Sequence, residues 1–86
     1  MVGMLVKTET IHGLFIGLVY EHFYDIDDNF ISIEVRWNDC DDTTETFREW
    51  EDYDEVSVYH FYHKGRWWRV DLNFYKFKQA LEGKWE

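Results

Sequence analysis

The chain has 86 residues, which is enough for one domain spanning 1–86 and leaves no room for a second. Its five Trp, six Tyr and seven Phe can fill a small core without staples, and its lone Cys40 excludes an internal disulfide. The net charge of −9 is unevenly spread: Glu21 to Glu55 holds fourteen acids and two bases, whereas Val56 to Glu86 holds six bases and three acids. That polarity disfavours nucleic-acid phosphates over the middle of the chain and favours basic partner surfaces.

Taken in chain order, Met4 to Thr8 is a weak strand candidate. The most apolar run, Gly13 to Tyr20, falls well short of the ~20 residues that a bilayer span requires. It lacks the flanks of a signal peptide, so a cytoplasmic protein is expected. Leu14, Ile16, Leu18 and Tyr20 fall on one face of this run, with Gly17 opposite, where it suggests a bulge or a close backbone approach. After an acidic turn at Asp25, Asp27 and Asp28, the segment Phe30 to Trp37 alternates Ile31, Ile33, Val35 and Trp37 with Ser32, Glu34 and Arg36. This is the clearest strand, with one buried and one solvated face. A second acidic turn holds Asp39, Asp41 and Asp42, and Thr43 to Trp50 is a further strand candidate. Glu51, Asp52, Tyr53 and Asp54 precede a strand over Glu55 to Tyr62. Lys64-Gly65 then makes a turn, and Trp68, Val70 and Leu72 alternate with Trp67, Arg69 and Asp71. At the end the period changes to that of a helix: Asn73 as cap, Phe74, Phe77 and Leu81 at helical spacing, and Gly83 as the stop.

Five or six short strands and one terminal helix define a mainly β fold: a small barrel or a curved antiparallel sheet. The stretch from Gly17 to Val58 resembles the SH3-like barrels of the Tudor, chromo-barrel and KOW type. The likeness is carried by Phe15-Ile-Gly-Leu-Val-Tyr20, by Ile33 to Trp37 with its Asn38-Asp39 turn, by Phe47 to Trp50, and by Asp54-Glu-Val-Ser-Val58. It covers about half the chain and departs after Trp37, where such barrels place Gly and this chain has Cys40. In composition the chain resembles small acidic phage proteins. The Tudor likeness implies an aromatic cage from Trp37, Phe47, Trp50 and Tyr53, with Asp54 or Glu55 beside it.

No catalytic constellation is legible, and a non-enzymatic protein is expected. Cys40 lies among Asp39, Asp41 and Asp42, whose charge disfavours a thiolate. His60 and His63 point to opposite faces of a strand, so no metal site is expected there. The glycines are not clustered, and no cofactor is expected. The leading expectation is a protein-binding module that docks on a basic partner. Its contacts would come from Asp25, Asp27, Asp28, Asp39, Asp41, Asp42, Glu51, Asp52 and Asp54, with Tyr53, Tyr59 and Phe61 as aromatic anchors. In its strongest form this face imitates a nucleic acid. The first alternative is nucleic-acid binding through Lys64, Arg66, Trp67 and Arg69; set against it is a structural hairpin with Trp68 in the core and Trp67 beneath the helix. A homo-oligomer built on surplus aromatics is the second alternative.

Overall fold

A computed structural model describes residues 3–25, 30–38, 41–48 and 58–85. Six strands run β1 (Leu5–Thr10), β2 (Gly13–Asp25), β3 (Phe30–Trp37), β4 (Thr43–Arg48), β5 (Val58–His63) and β6 (Arg66–Arg69), followed by helix α1 (Phe74–Leu81). All pairings are antiparallel, and the sheet order is β4-β3-β2-β1-β5-β6. The fold is therefore a curved antiparallel sheet with a short C-terminal helix, as expected, and β4 and β6 are its edges. The weak candidate at Met4 becomes β1, paired on both sides with β2 and β5.

The 13-residue β2 serves two partners because it bends. Its register against β3 slips between Val19 and Glu21, a β-bulge that adds one residue and increases local twist. The bulge also inverts the alternation. Phe15, Gly17 and Val19 face inward before it, and His22 and Tyr24 share inward rows with Ile33 and Ile31 after it. The face made by Leu14, Ile16, Leu18 and Tyr20 consequently points outward, with Leu14 and Leu18 exposed. Gly17 is buried where Trp37 of β3 lies directly opposite, and a Cβ there would approach Trp37 Cε3 to 2.8 Å and collide with the Val35 side chain. The bulge and the close approach are thus separate features, three residues apart.

The concave face holds the core. Val6, Val19, Ile31, Ile33, Val35, Phe47, Phe61 and Val70 are almost fully buried from the sheet side, and Phe74, Phe77 and Leu81 close it from α1. Phe77 sits between Phe61 (centroids 5.0 Å) and Phe47 (5.8 Å), and Phe47 also meets Tyr59 edge-on at 5.0 Å. Curvature thereby brings β4 and β5 together through side chains across the interior, without a hydrogen-bonded ladder between them among the described residues.

Several boundaries differ from the sequence reading. The strand expected to continue through Leu72 ends at Arg69, because the Asp71 carboxylate takes both Arg69 Nε (3.0 Å) and the Leu72 backbone N–H (3.0 Å) and turns the chain. Of the strands expected over Thr43–Trp50 and Glu55–Tyr62, the described parts are Thr43–Arg48 and Val58–His63, and residues 49–57 lie outside the described residues. Asn73 makes no side-chain cap; its amide donates to Arg69 O at 2.9 Å, and its own carbonyl accepts the first helical bond, from Phe77 N. At the other end Gly83 takes φ 73°, its N–H donates to Ala80 O, and Lys84 N–H donates to Gln79 O at 2.8 Å. That is a Schellman stop, which favours glycine because its φ is positive.

Candidate functional site

The sheet has one covered face and one open face. On the open face, β1 contributes Leu5, Lys7 and Glu9; β2 contributes Leu14, Ile16 and Leu18; β5 contributes Val58, His60 and Tyr62; β6 contributes Trp67 and Arg69. Cross-strand register aligns these into rows: Leu18–Leu5, Ile16–Lys7–His60–Arg69, and Leu14–Glu9–Val58. Leu5 is 40% exposed, Leu14 50%, Leu18 39% and Tyr62 42%, and Ile11 in the β1–β2 turn reaches 82%. Scattered exposed leucines are ordinary, but a contiguous apolar patch on one side of a sheet marks a contact surface. A shallow groove of about 560 Å³ runs between Ile11, Leu14, Val58 and His60.

Charge on this face is sparse and organised. Lys7 holds its ammonium 4.5 Å from the Trp67 ring centroid, and Trp67 packs edge-on against Tyr62 at 5.2 Å. Burial, with Lys7 and Arg69 nearby, lowers the His60 pKa below its ordinary value, so the imidazole between them stays neutral more readily. Arg69 is engaged by Asp71 in a two-point pair at 3.0 and 2.6 Å.

The concave side carries a polar chain at its rim. Trp37 Nε1 donates to Thr43 Oγ1 (2.6 Å), Thr43 donates to Glu45 Oε1 (2.8 Å), and the Tyr59 hydroxyl donates to Glu45 Oε2 (2.9 Å). Burial first, and then the Glu45 carboxylate, push the Tyr59 phenol far above its ordinary range. These links brace β3, β4 and β5 against one another. Among the described residues no three His, Cys, Asp or Glu side chains converge as a metal site, and no helix is long and apolar enough to cross a membrane.

The aromatic anchors expected from sequence fall differently. Phe61 is fully buried against Phe77 and cannot meet a partner. Its strand puts Tyr59, Phe61 and His63 inward, and the odd positions of β5 belong to the core because Phe61 pairs with Val6. Tyr59 is half-buried and tied to Glu45. The exposed aromatic on β5 is Tyr62. The cage implied by the Tudor likeness loses two members, since Trp37 and Phe47 are both core residues. Trp50, Tyr53, Asp54 and Glu55 lie outside the described residues.

The expected acidic face is only partly placed. Asp25 pairs with Phe30 at one end of β3, whereas Asp41 and Asp42 follow the other end, and Asp42 lies 3.6 Å from Arg36 Nε. An eight-residue strand separates them by about 25 Å. Asp27, Asp28, Asp39, Glu51 and Asp52 lie outside the described residues.

The basic hairpin is split by its own pleat. Lys64 (φ 53°) and Gly65 (φ 78°) make the tight turn, after which Trp67 points to the open face and Trp68 to the core side. Trp68 thus joins the core margin as expected, but Trp67 does not lie beneath the helix; Trp85 occupies that place. Trp85 stacks on His63 at 4.4 Å and meets Trp68 edge-on at 4.9 Å. Three cations surround the two indoles: Arg66 over Trp68 (3.7 Å), Lys64 over Trp85 (5.2 Å), and Lys76 over both (5.3 and 5.5 Å). Sequence reading missed Trp85 and Lys76 because both lie outside the hairpin, on or beyond the helix that folds back onto it.

Comparison with protein families, with curated proteins and with solved structures finds no match for this chain.

Proposed function

We propose that this chain is a non-enzymatic protein-binding module whose contact surface is the open face of the sheet. The observation that carries this reading is the set of exposed apolar side chains, Leu5, Leu14, Leu18 and Tyr62 with Ile11 beside them, on the face opposite the core. Such side chains supply the desolvated centre of an interface, and the surrounding charge sets partner and orientation. In this reading the acidic segments at the two ends of β3 steer a basic partner towards the face rather than form the contact itself. The SH3-like likeness read from the sequence belongs to the same proposal, since a small curved sheet presents partners with a preformed surface.

The test is capture of partner proteins from a lysate of the source cells by wild type, by Leu14→Asp, and by a variant neutralised at Asp25, Asp41 and Asp42. Loss of a captured protein with Leu14→Asp, at unchanged circular dichroism and melting temperature, supports the face. Capture that survives Leu14→Asp but disappears on neutralisation transfers the contact to the acids. The cation-ringed indoles Trp68 and Trp85 favour a second reading, nucleic-acid binding on the helix side of the hairpin. It requires Arg66→Ala and Lys76→Ala to weaken oligonucleotide binding, with Trp67→Ala having no effect.

A further inference from the structure

On the open face β1 carries two charged side chains, Lys7 and Glu9, and neither has an ion-pair partner among the described residues. They are two residues apart, about 7 Å along the strand, with the inward-facing Thr8 between them. This spacing makes the face complementary to itself. Consider a two-fold axis lying in the plane of the interface, perpendicular to β1 and passing beside Thr8. It reverses the strand direction of the second copy and lays β1 on β1. Lys7 then faces Glu9 of the other copy, and Glu9 faces its Lys7.

The apolar rows follow the same operation. Ile16 is level with Lys7 and Leu14 with Glu9, so Ile16 of one copy meets Leu14 of the other. Leu5 and Leu18 form a row one step beyond Lys7, and the β1–β2 turn with Ile11 lies one step beyond Glu9, so these too come together. On β5, His60 is level with Lys7 and Val58 with Glu9, which places the imidazole against Val58. Depression of the His60 pKa suits that apolar neighbour. Leu5, Lys7, Glu9, Leu14, Ile16 and Leu18 therefore each meet a counterpart of matching chemistry, as an isologous interface requires. Two sheets packed face to face keep their strands within about 30° of each other, which an antiparallel superposition allows.

Resting on the reading that this face is a contact surface, we propose that its occupant is a second copy of the chain, packed face to face about a two-fold axis with reciprocal Lys7–Glu9 pairs.

The test is the mass of the full-length protein by sedimentation over a wide concentration range, for wild type, Lys7→Glu, Glu9→Lys, the double swap, and an equimolar mixture of the two single variants. All substitutions are on an exposed or half-exposed surface, and circular dichroism checks that each folds. Wild type should show a concentration-dependent doubling of mass. Each single variant sets like charges together twice per dimer and should weaken association by about tenfold or more. The double swap should restore it. So should the mixture, because the all-acidic face of the Lys7→Glu variant matches the all-basic face of the Glu9→Lys variant. A wild type that stays monomeric at every concentration overturns the proposal, as does a dimer indifferent to all the charge variants. If the chain is monomeric while Leu14→Asp abolishes capture of another protein, the contact surface stands and only its occupant is refuted.

Discussion

Gly17→Ala tests whether the packing between β2 and β3 depends on a missing side chain. The added Cβ would stand 2.8 Å from Trp37 Cε3 and 3.1 Å from Arg36 O, and would overlap the Val35 side chain. Val35 is fully buried and Trp37 nearly so, with its indole N–H fixed to Thr43, so both are held in place against the added group. Overpacking of this kind costs about 1–3 kcal/mol. Replacing glycine also restricts the unfolded chain, which offsets about 0.4–1 kcal/mol. A net loss of about 1–2 kcal/mol lowers the melting temperature of a domain this size by about 5–15 °C. The assay is thermal and urea unfolding of Gly17→Ala, Val35→Ala and the double variant. Val35→Ala removes one of the colliding groups, so the two losses should sum to less than expected by about 1 kcal/mol. If Gly17→Ala melts at or above the wild-type temperature, or if the two losses add, the glycine is not held by close approach and this account of the β2–β3 packing is wrong.

Four further outcomes can be checked independently. Thr8 is buried on the concave face, and its hydroxyl has no hydrogen-bond partner among the described residues; Thr8→Val should therefore stabilise the fold by about 1 kcal/mol in chemical denaturation. Gly83→Ala forces a residue with a Cβ to φ 73° and should cost about 1 kcal/mol, seen as a lower melting temperature and weaker hydrogen-exchange protection at Lys84. The raised Tyr59 pKa means that the folded state keeps this proton longer than the unfolded chain, so stability is lost as pH rises above about 10. Near-ultraviolet titration should show a late tyrosine phase that Tyr59→Phe removes. The lowered His60 pKa has the opposite consequence. The unfolded chain binds the proton first, so stability is present above about pH 6.5 and falls as pH drops through the folded value. A proton-NMR titration placing His60 at or above 6.5 would contradict its burial in the sheet face and the nearness of Lys7 and Arg69.

Period and turn chemistry carried most of the architecture. Alternation in Phe30 to Trp37 was enough to put Ile31, Ile33, Val35 and Trp37 in the core, and all four are buried there. Helical spacing of Phe74, Phe77 and Leu81 before a stop at Gly83 likewise identifies the face that seals the sheet, because a local period depends only on neighbours along the chain. The candidate contact surface was not legible in the same way. Leu14, Ile16 and Leu18 are as apolar as Phe15 and Val19 on the other side, and pattern alone cannot rank two apolar faces of one strand. Pairing decides it: Gly17 admits the Trp37 ring, Val19 meets Val35, and the bulge before Glu21 then turns the rest of β2 over. The same holds for β5, where Phe61 goes inward because β1 offers it Val6, and Tyr62 is left outside with Trp67. Chain-local physics determined which segments become strands and helix. Which side of each strand meets solvent, and hence what surface this protein presents to a partner, was decided only when distant segments fixed one another's register.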